Sequence, residues 1–499
     1  MASSITITPD ESASFVNNAA FCVGTGRIGL GLQAEYQEQL RQVQKLCHFR
    51  YMRGHGLFHD DMSIYQDFTT PDGVRHKYYC FTYLDRIMDA YREIGIKPFL
   101  ELGFMPGALA SSEQTLFYWK AHTVPPKSEE DWVDLVKATL AHLRDRYGED
   151  EVSTWPCEIW NEPNLPGFWE HADKEKYLRL YEITSQAVKA VLPRMQVGGP
   201  AVCGGPVTND WVRDFLTFCL EKQLPVDFVT RHAYMAKTPD HRGRYIYHEM
   251  CEVEETLEEM RGTREVIDSF PEFRGMPMHI TEFNTSYNPR CPIHDTPENA
   301  CHIAGLLACL GDVAASYSYW TFGDVFEETG VPVTPFHGGF GMMADQCIPK
   351  PTLWAFSFFN NLSGSCVHRD AHSVVMRRAD GSFEGVVWNL QRKGREALGV
   401  TLALPVAGRA VLQTRTVDEE HGNPLALWHA MGEPASLTEE QLSFLRESAR
   451  PWAQARTGED QASWTLTLAP NAITHFTLSP APLTPDEGYD YRWYCAEEE

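Results

Sequence analysis

The chain is short of positive charge: Lys and Arg number 43 against 68 Asp and Glu, a formal net charge of −25 over 499 residues. A surface of that sign repels polyanions, which removes nucleic acid and anionic membrane from the expected partners. No uninterrupted apolar run of about 18 residues occurs, so no transmembrane helix is expected. The opening MASSITITPDESASF lacks the basic-then-apolar form of a secretory signal. The 13 cysteines include no CxxC pair, and an odd, scattered set suits reduced thiols and a cytoplasmic location better than a disulfide framework. In that compartment the sequons at Asn284 and Asn361 carry no meaning. HExxH, HxH, GxSxG and Walker A patterns are also missing, so neither a metal nor any other cofactor is expected.

What is present is ordinary core material. Hydrophobic residues make up 43% and charged residues 22%, enough to bury two or three domains of usual size. Eight apolar or β-branched runs read as strands: FCVGTG (21–26), FRYMRGH (49–55), KPFLELGF (97–104), TWPCEIWNEP (154–163), MQVGGPA (195–201), DFVTRHAY (227–234), PMHITEFN (277–284) and ASYSYWTF (315–322). Amphipathic stretches at 34–46, 83–94, 130–146, 174–191, 211–221, 253–268 and 296–310 separate them. Eight strands alternating with helices predict an α/β fold, a (β/α)8 TIM barrel over residues 14–358. From about residue 360 the pattern turns to short alternating runs such as SVVMRRA (373–379) and RAVLQTRTV (409–417). These predict a C-terminal antiparallel β-sandwich over 359–499 with one helical insert at 439–450. SITIT (4–8) also alternates, so residues 1–13 are expected to join the sandwich, and the acidic 496–499 tail is expected to fray.

Two carboxylates directly follow apolar strands, where packing alone would not place a charge: Glu162 in EIWNEPN and Glu282 in HITEFN. They end the fourth and seventh strands, 120 residues apart, and closure of a barrel turns those ends towards each other across its mouth. A facing carboxylate pair is the minimal equipment for glycoside hydrolysis. Asn161 adds an amide donor suited to a sugar 2-hydroxyl. An isolated Glu at the surface is more often part of an ion pair. Two of them, each flanked by apolars, aromatics and an Asn, favour catalysis.

The text around them resembles glycoside hydrolase family 39, in particular its bacterial β-xylosidases. The resemblance is carried by FRYMRGHGLFHDDMSIY (49–65), EIWNEPNLPGFW (158–169), VGGPAVCGG (197–205), PVDFVTRHAY (225–234), HITEFNTSY (279–287), SYWTFGDVFEE (318–328), FHGGFG (336–341) and IPKPT (348–352). It implies a retaining exo-glycosidase that releases xylose from xylooligosaccharides, with Glu162 as general acid/base and Glu282 as nucleophile. It further implies a sugar pocket of Arg53, His55, Asn161, His232, Tyr234, Tyr287, Trp320 and Glu328, walled by Phe117 and Phe168. Either Tyr234 or Tyr287 would hydrogen-bond Glu282. Phe283 stands where these xylosidases tend to have Tyr, and strand alternation points it away from the sugar. Family members are often oligomeric, so a homo-oligomer is expected.

Five other readings compete. Gly24, Gly26 and Gly29 fit a dinucleotide-binding turn, but the acidic residue required some 20 positions on is missing from VQKLCHFRYMR. The glycines therefore read as the first tight turn of the barrel. The HDD of 59–61 reads as a polar loop at the barrel mouth, and Cys157 and Cys203 as packing thiols. Another glycone (arabinoside, galactoside, glucoside or iduronide) keeps the same chemistry, the last needing a cationic clamp such as Arg53 or Arg231. A silent carbohydrate-binding protein is the rival outside enzymes.

Overall fold

The computed structural model describes residues 3–234 and 236–481. After a first strand β1 (Ser3–Ile7) come β2 (Cys22–Arg27), β3 (Tyr51–His55), β4 (Lys97–Leu102), β5 (Cys157–Ile159), β6 (Val197–Val202), β7 (Phe228–Tyr234), β8 (Met278–Asn284) and β9 (Ser316–Tyr319). Strands β2 to β9 pair in parallel in chain order and close into a barrel, with Tyr319 of β9 set against Val23 of β2. These are the eight expected runs. Each is covered by helices outside and filled by side chains inside, so β3, β6 and β8 are buried along their whole length. That double cover explains why they read as continuous apolar runs rather than alternating ones.

Seven helices fall on the expected stretches: α1 (Ala34–Cys47), α2 (Thr82–Ile94), α3 (Glu129–Tyr147), α4 (Lys174–Val191), α5 (Thr208–Lys222), α6 (Val253–Asp268) and α7 (Pro297–Leu307). Several of their starts are capped locally. Ser128, Asp173 and Thr296 each accept a hydrogen bond from a first-turn backbone N–H, satisfying a donor that the helix itself cannot. An eighth barrel helix, α8 (Pro351–Asn360), has no amphipathic period because eight of its ten residues are buried. A helix apolar all round leaves nothing for the period to show.

Beyond α8 lie β10 (Ser365–Asp370), β11 (Ser373–Arg377), β12 (Phe383–Trp388), β13 (Leu398–Leu402), β14 (Arg409–Val417), α9 (Pro424–Ala430), α10 (Glu439–Ser448), β15 (Trp452–Glu459), β16 (Trp464–Leu468) and β17 (Ile473–Pro480). They form a six-stranded sheet, β10-β11-β12-β17-β14-β15, and a three-stranded one, β1-β13-β16. β1 pairs in parallel with β13, from Ser3 opposite Leu398 to Ile7 opposite Leu402, so the N-terminal strand completes the smaller sheet. Between the sheets sits a core that includes Ile7, Phe383, Leu412, Trp464 and Phe476. Trp388 and Ile473 belong instead to the apolar cluster of the barrel, so the two parts share one buried seam. The 496–499 tail lies outside the described residues, and no described helix is long and apolar enough to cross a membrane.

One buried ion cluster pins the barrel's last loop. Lys350 Nζ lies 2.7 Å from Asp295 Oδ1 and 2.5 Å from Asp324 Oδ2 and donates to Gly339 O. The two carboxylates accept the Gly338 and Gly341 backbone N–H groups. The FHGGFG and IPKPT segments are thus two halves of one clamp. Lys350→Met would leave two buried carboxylates without a counter-charge, and a loss of about 3–5 kcal/mol of unfolding free energy, read from the shift in denaturant midpoint, is expected.

Candidate active site

The C-terminal ends of β3 to β9 converge on a pocket of about 330 Å³. His55 comes from β3, Tyr234 from β7 and Glu282 from β8, while Glu162 and Trp320 stand just past β5 and β9. Phe117, Phe168, Tyr287 and Glu328 arrive on loops and complete the predicted wall. The remaining three predicted residues, Arg53, Asn161 and His232, are buried just behind this lining: Arg53 and His232 contact the two carboxylates, and Asn161 accepts from Arg53.

A register shift between Arg231 and His232 in the pairing of β7 with β8 sets His232 opposite Glu282 and Tyr234 opposite Asn284. His232 Nδ1 lies 2.7 Å from Glu162 Oε1 and 3.6 Å from Glu282 Oε2. Tyr234 Oη donates to Glu282 Oε2 at 2.7 Å. Of the two candidate tyrosines, then, Tyr234 holds this carboxylate, while Tyr287 is half exposed at the rim and packs at a tilt against His248. Glu162 sits at φ +46° and Trp160 at φ +72°, left-handed geometry that non-glycine residues adopt at a cost, here at a candidate active site. Glu162 is held there by its N–H bond to Ala201 O on β6.

Arg53 is the hub underneath. Its Nη1 donates to Glu282 Oε1 at 2.5 Å, Nε to Glu158 Oε2 at 2.7 Å and Nη2 to Asn161 Oδ1 at 2.8 Å. Nη2 also pairs with Glu101 Oε2 at 2.9 Å. Glu158 takes a further bond from the Thr281 hydroxyl. Glu101 and Glu158 were not among the predicted residues. Their signal was visible, a carboxylate inside an otherwise apolar strand in KPFLELGF and PCEIW.

Burial raises every carboxyl here, and neighbours sort them. Glu162 is pushed well above the ordinary range by burial and then by the charge of Glu282. Glu282 is raised by burial too, but the Arg53 charge and the Tyr234 hydroxyl pull it back. Glu328 is driven well up by burial and by the surrounding carboxylates. Burial holds the His232 ring neutral. Asn161 Nδ2 and His232 Nε2 are buried and have no partner, so both are free for a ligand.

Phe283 faces outward and packs on Tyr317, Tyr319 and Phe356. A Cβ on Gly24 would come within 2.5 Å of the Trp320 ring, and one on Gly26 within 2.9 Å of Phe326, so these glycines make room for the pocket's aromatic wall. In the 59–61 loop, His59 Nδ1 lies 2.7 Å from Asp61 Oδ1, Asp61 pairs with Arg27, and Asp60 accepts the Gly107 N–H. Cys203 is half-buried and lines the pocket, and burial and then Glu162 raise its thiol strongly, which agrees with a thiol that is not a nucleophile. Arg231, considered as a clamp, is spent on Glu259 and Thr263.

Ligand atoms of Glu162, His232 and Glu282 lie within 4.8 Å of one another, a span that could hold a cation. Those atoms are already engaged with each other and with Arg53 and Tyr234, which a cation would have to displace. A larger cleft of about 780 Å³ separates α1 from the six-stranded sheet. Its buried carboxylate, Glu384, is spent on Arg378 and His475, so the converging carboxylates belong to the barrel pocket.

Residues 4–463 match the family model described as Glycosyl hydrolases family 39. The chain is 46% identical over 479 residues, 94% of each chain, to a β-xylosidase of Geobacillus stearothermophilus. It is 33% identical over 476 residues, 92% of this chain and 94% of the relative, to a β-xylosidase of Caldicellulosiruptor saccharolyticus. Among solved structures, a monomeric β-xylosidase from Caulobacter crescentus superposes with a TM-score of 0.86 at 33% identity, over 96% of this chain and all of that one.

Proposed function

We propose that this chain, which belongs to glycosyl hydrolase family 39 and is a glycoside hydrolase, is a retaining β-xylosidase that removes xylose from the non-reducing end of xylooligosaccharides. The carrying observation is the spacing of the two carboxyls. One oxygen of Glu162 and one of Glu282 lie within 4.8 Å of each other, a close approach that fits the short carboxyl separation of a double-displacement site better than the wider gap that admits a water between acid and base.

In this reading Glu282 attacks the anomeric carbon while Glu162 protonates the departing oxygen, and a covalent glycosyl-enzyme forms. Glu162 then takes a proton from water as the water displaces Glu282. The electrostatics support the division of labour. The carboxyl pushed further up is the one that must carry a proton, and the one held by Arg53 and Tyr234 is the one that must be ionised. Asn161 Nδ2, unpartnered beside Glu162, donates to the sugar 2-hydroxyl. Phe117 and Phe168, with ring centroids 5.5 Å apart, and Trp320 cover the apolar face of the ring.

The glycone follows the relatives and the charge of the pocket. Among the described residues no Lys or Arg lines it, and both Arg53 and Arg231 are fully engaged. A uronate carboxylate would meet Glu162, Glu282 and Glu328 with no cation to receive it, which disfavours an iduronide. The twelve described cysteines are all free, which supports a reducing, cytoplasmic setting fed by short imported oligosaccharides.

Four outcomes test the reading. On a panel of p-nitrophenyl glycosides the β-D-xyloside is turned over fastest, with retained configuration by proton NMR. Preference for another glycone would move the substrate, and inversion would end the mechanism. Glu282→Ala lowers kcat by roughly 10⁴-fold or more. Glu162→Ala lowers it by about 10²–10⁴-fold, most on poor leaving groups, with partial rescue by azide as a glycosyl azide. Tyr234→Phe removes a donor to ionised Glu282, so the acid limb of kcat/KM moves to higher pH and kcat falls about 10- to 100-fold.

A further inference from the structure

Both ring nitrogens of His55 face carboxyl oxygens. Nδ1 is 2.7 Å from Glu101 Oε2, and Nε2 is 3.4 Å from Glu282 Oε1 and 4.0 Å from Glu328 Oε1. The ring is buried, and burial drives it down to about 3, so it is neutral. A neutral imidazole has one N–H and one lone pair, so it cannot donate to both sides. With the proton on Nδ1, the bare Nε2 would point its lone pair at Glu282 and Glu328. With the proton on Nε2, the 2.7 Å contact at Nδ1 requires a proton from Glu101.

We propose that Glu101 holds that proton and thereby fixes His55 as the tautomer whose Nε2–H is turned to Glu282 and to the sugar hydroxyl beside it. This makes Glu101 a positioning residue for the reaction proposed above, and the inference rests on that reading. Charge bookkeeping agrees. Arg53 is the one cation against Glu101, Glu158 and Glu282, with Glu162 and Glu328 close by. Protonating Glu101 removes one of the surplus negative charges at the position that ring geometry requires. Burial lifts this carboxyl to about 8 even though Arg53 and the Gly56 N–H oppose the shift. Above that pH, Glu101 ionises, the ring proton is drawn to Nδ1, and Glu282 loses a donor while gaining a facing lone pair.

The test uses kcat/KM for 2,4-dinitrophenyl β-D-xyloside, whose leaving group needs no protonation, so Glu162 drops out of the alkaline limb. The wild-type enzyme is expected to lose activity above about pH 8. In Glu101→Gln the amide N–H₂ donates to Nδ1 at every pH, so that limb moves up by about one unit or more, with kcat/KM at pH 6 kept within about 10-fold. An unmoved limb in a folded variant overturns the proposal. Should the variant not fold, ¹⁵N-histidine NMR of the wild-type enzyme decides, with the His55 signals assigned by their loss in His55→Gln. A neutral ring protonated on Nε2 at pH 6 supports the assignment, and an Nδ1–H ring or an imidazolium refutes it. Failure of xyloside turnover, or survival of activity in Glu282→Ala, would count against the glycosidase reading, whereas intact turnover with the wrong tautomer counts against Glu101 alone.

Discussion

A guanidinium buried among carboxyls organises this molecule. Arg53 is fully buried on the third residue of a barrel strand and reaches Glu101, Glu158, Glu282 and Asn161 at 2.5 to 2.9 Å. Taking such charges out of water costs several kcal/mol each unless they pair well. The pairing can be good only if four different strands bring their residues to one point, which is what barrel closure does. The fold and the site are therefore one constraint: the barrel makes the network affordable, and the network fixes where the pocket carboxyls stand.

From that hub the chemistry is graded outward. Of the deep carboxyls, Glu158 is held by Arg53 and Thr281, and Glu101 is held through Oε2 by Arg53 and His55. The two at the pocket keep a face open to a ligand, and the unpartnered Asn161 Nδ2 and His232 Nε2 lie beside them. Unsatisfied buried donors and acceptors are costly in a free protein, and in the proposed reading sugar hydroxyls satisfy them. The aromatic wall is made possible by glycines: Trp320 occupies the space that a side chain on Gly24 would need. The Lys350 clamp holds the loop behind that wall from the far side.

Much of this was legible beforehand, for physical reasons that differ by residue. Barrel strands sealed on both faces leave long apolar runs, and a charge at the end of one, as at Glu162 and Glu282, stands out. Glu101 and Glu158 carried the same mark inside their strands, but nothing in the text says that Arg53 is the group awaiting them. The choice between Tyr234 and Tyr287 was open because both lie near strand ends, and only the offset of β7 against β8 turns the first inward. Cys203 was read as packing because a thiol beside a strand usually is, and its approach to Glu162 depends on the loop after β6.

By itself the sequence determined the alternation of eight strands and helices, the accessory β-structure, the motifs of the family and the identity of the paired carboxylates, because these depend on local periodicity and on residue type. It could not reveal α8, whose burial on all sides erases the period, nor which hydroxyl, ring nitrogen or guanidinium nitrogen meets which carboxyl oxygen. Those meetings join residues more than 100 positions apart, such as Arg53 with Glu158 and Glu282. Strand register and barrel closure decide them, and only in the buried, low-dielectric interior that closure creates do they shift the protonation of the site.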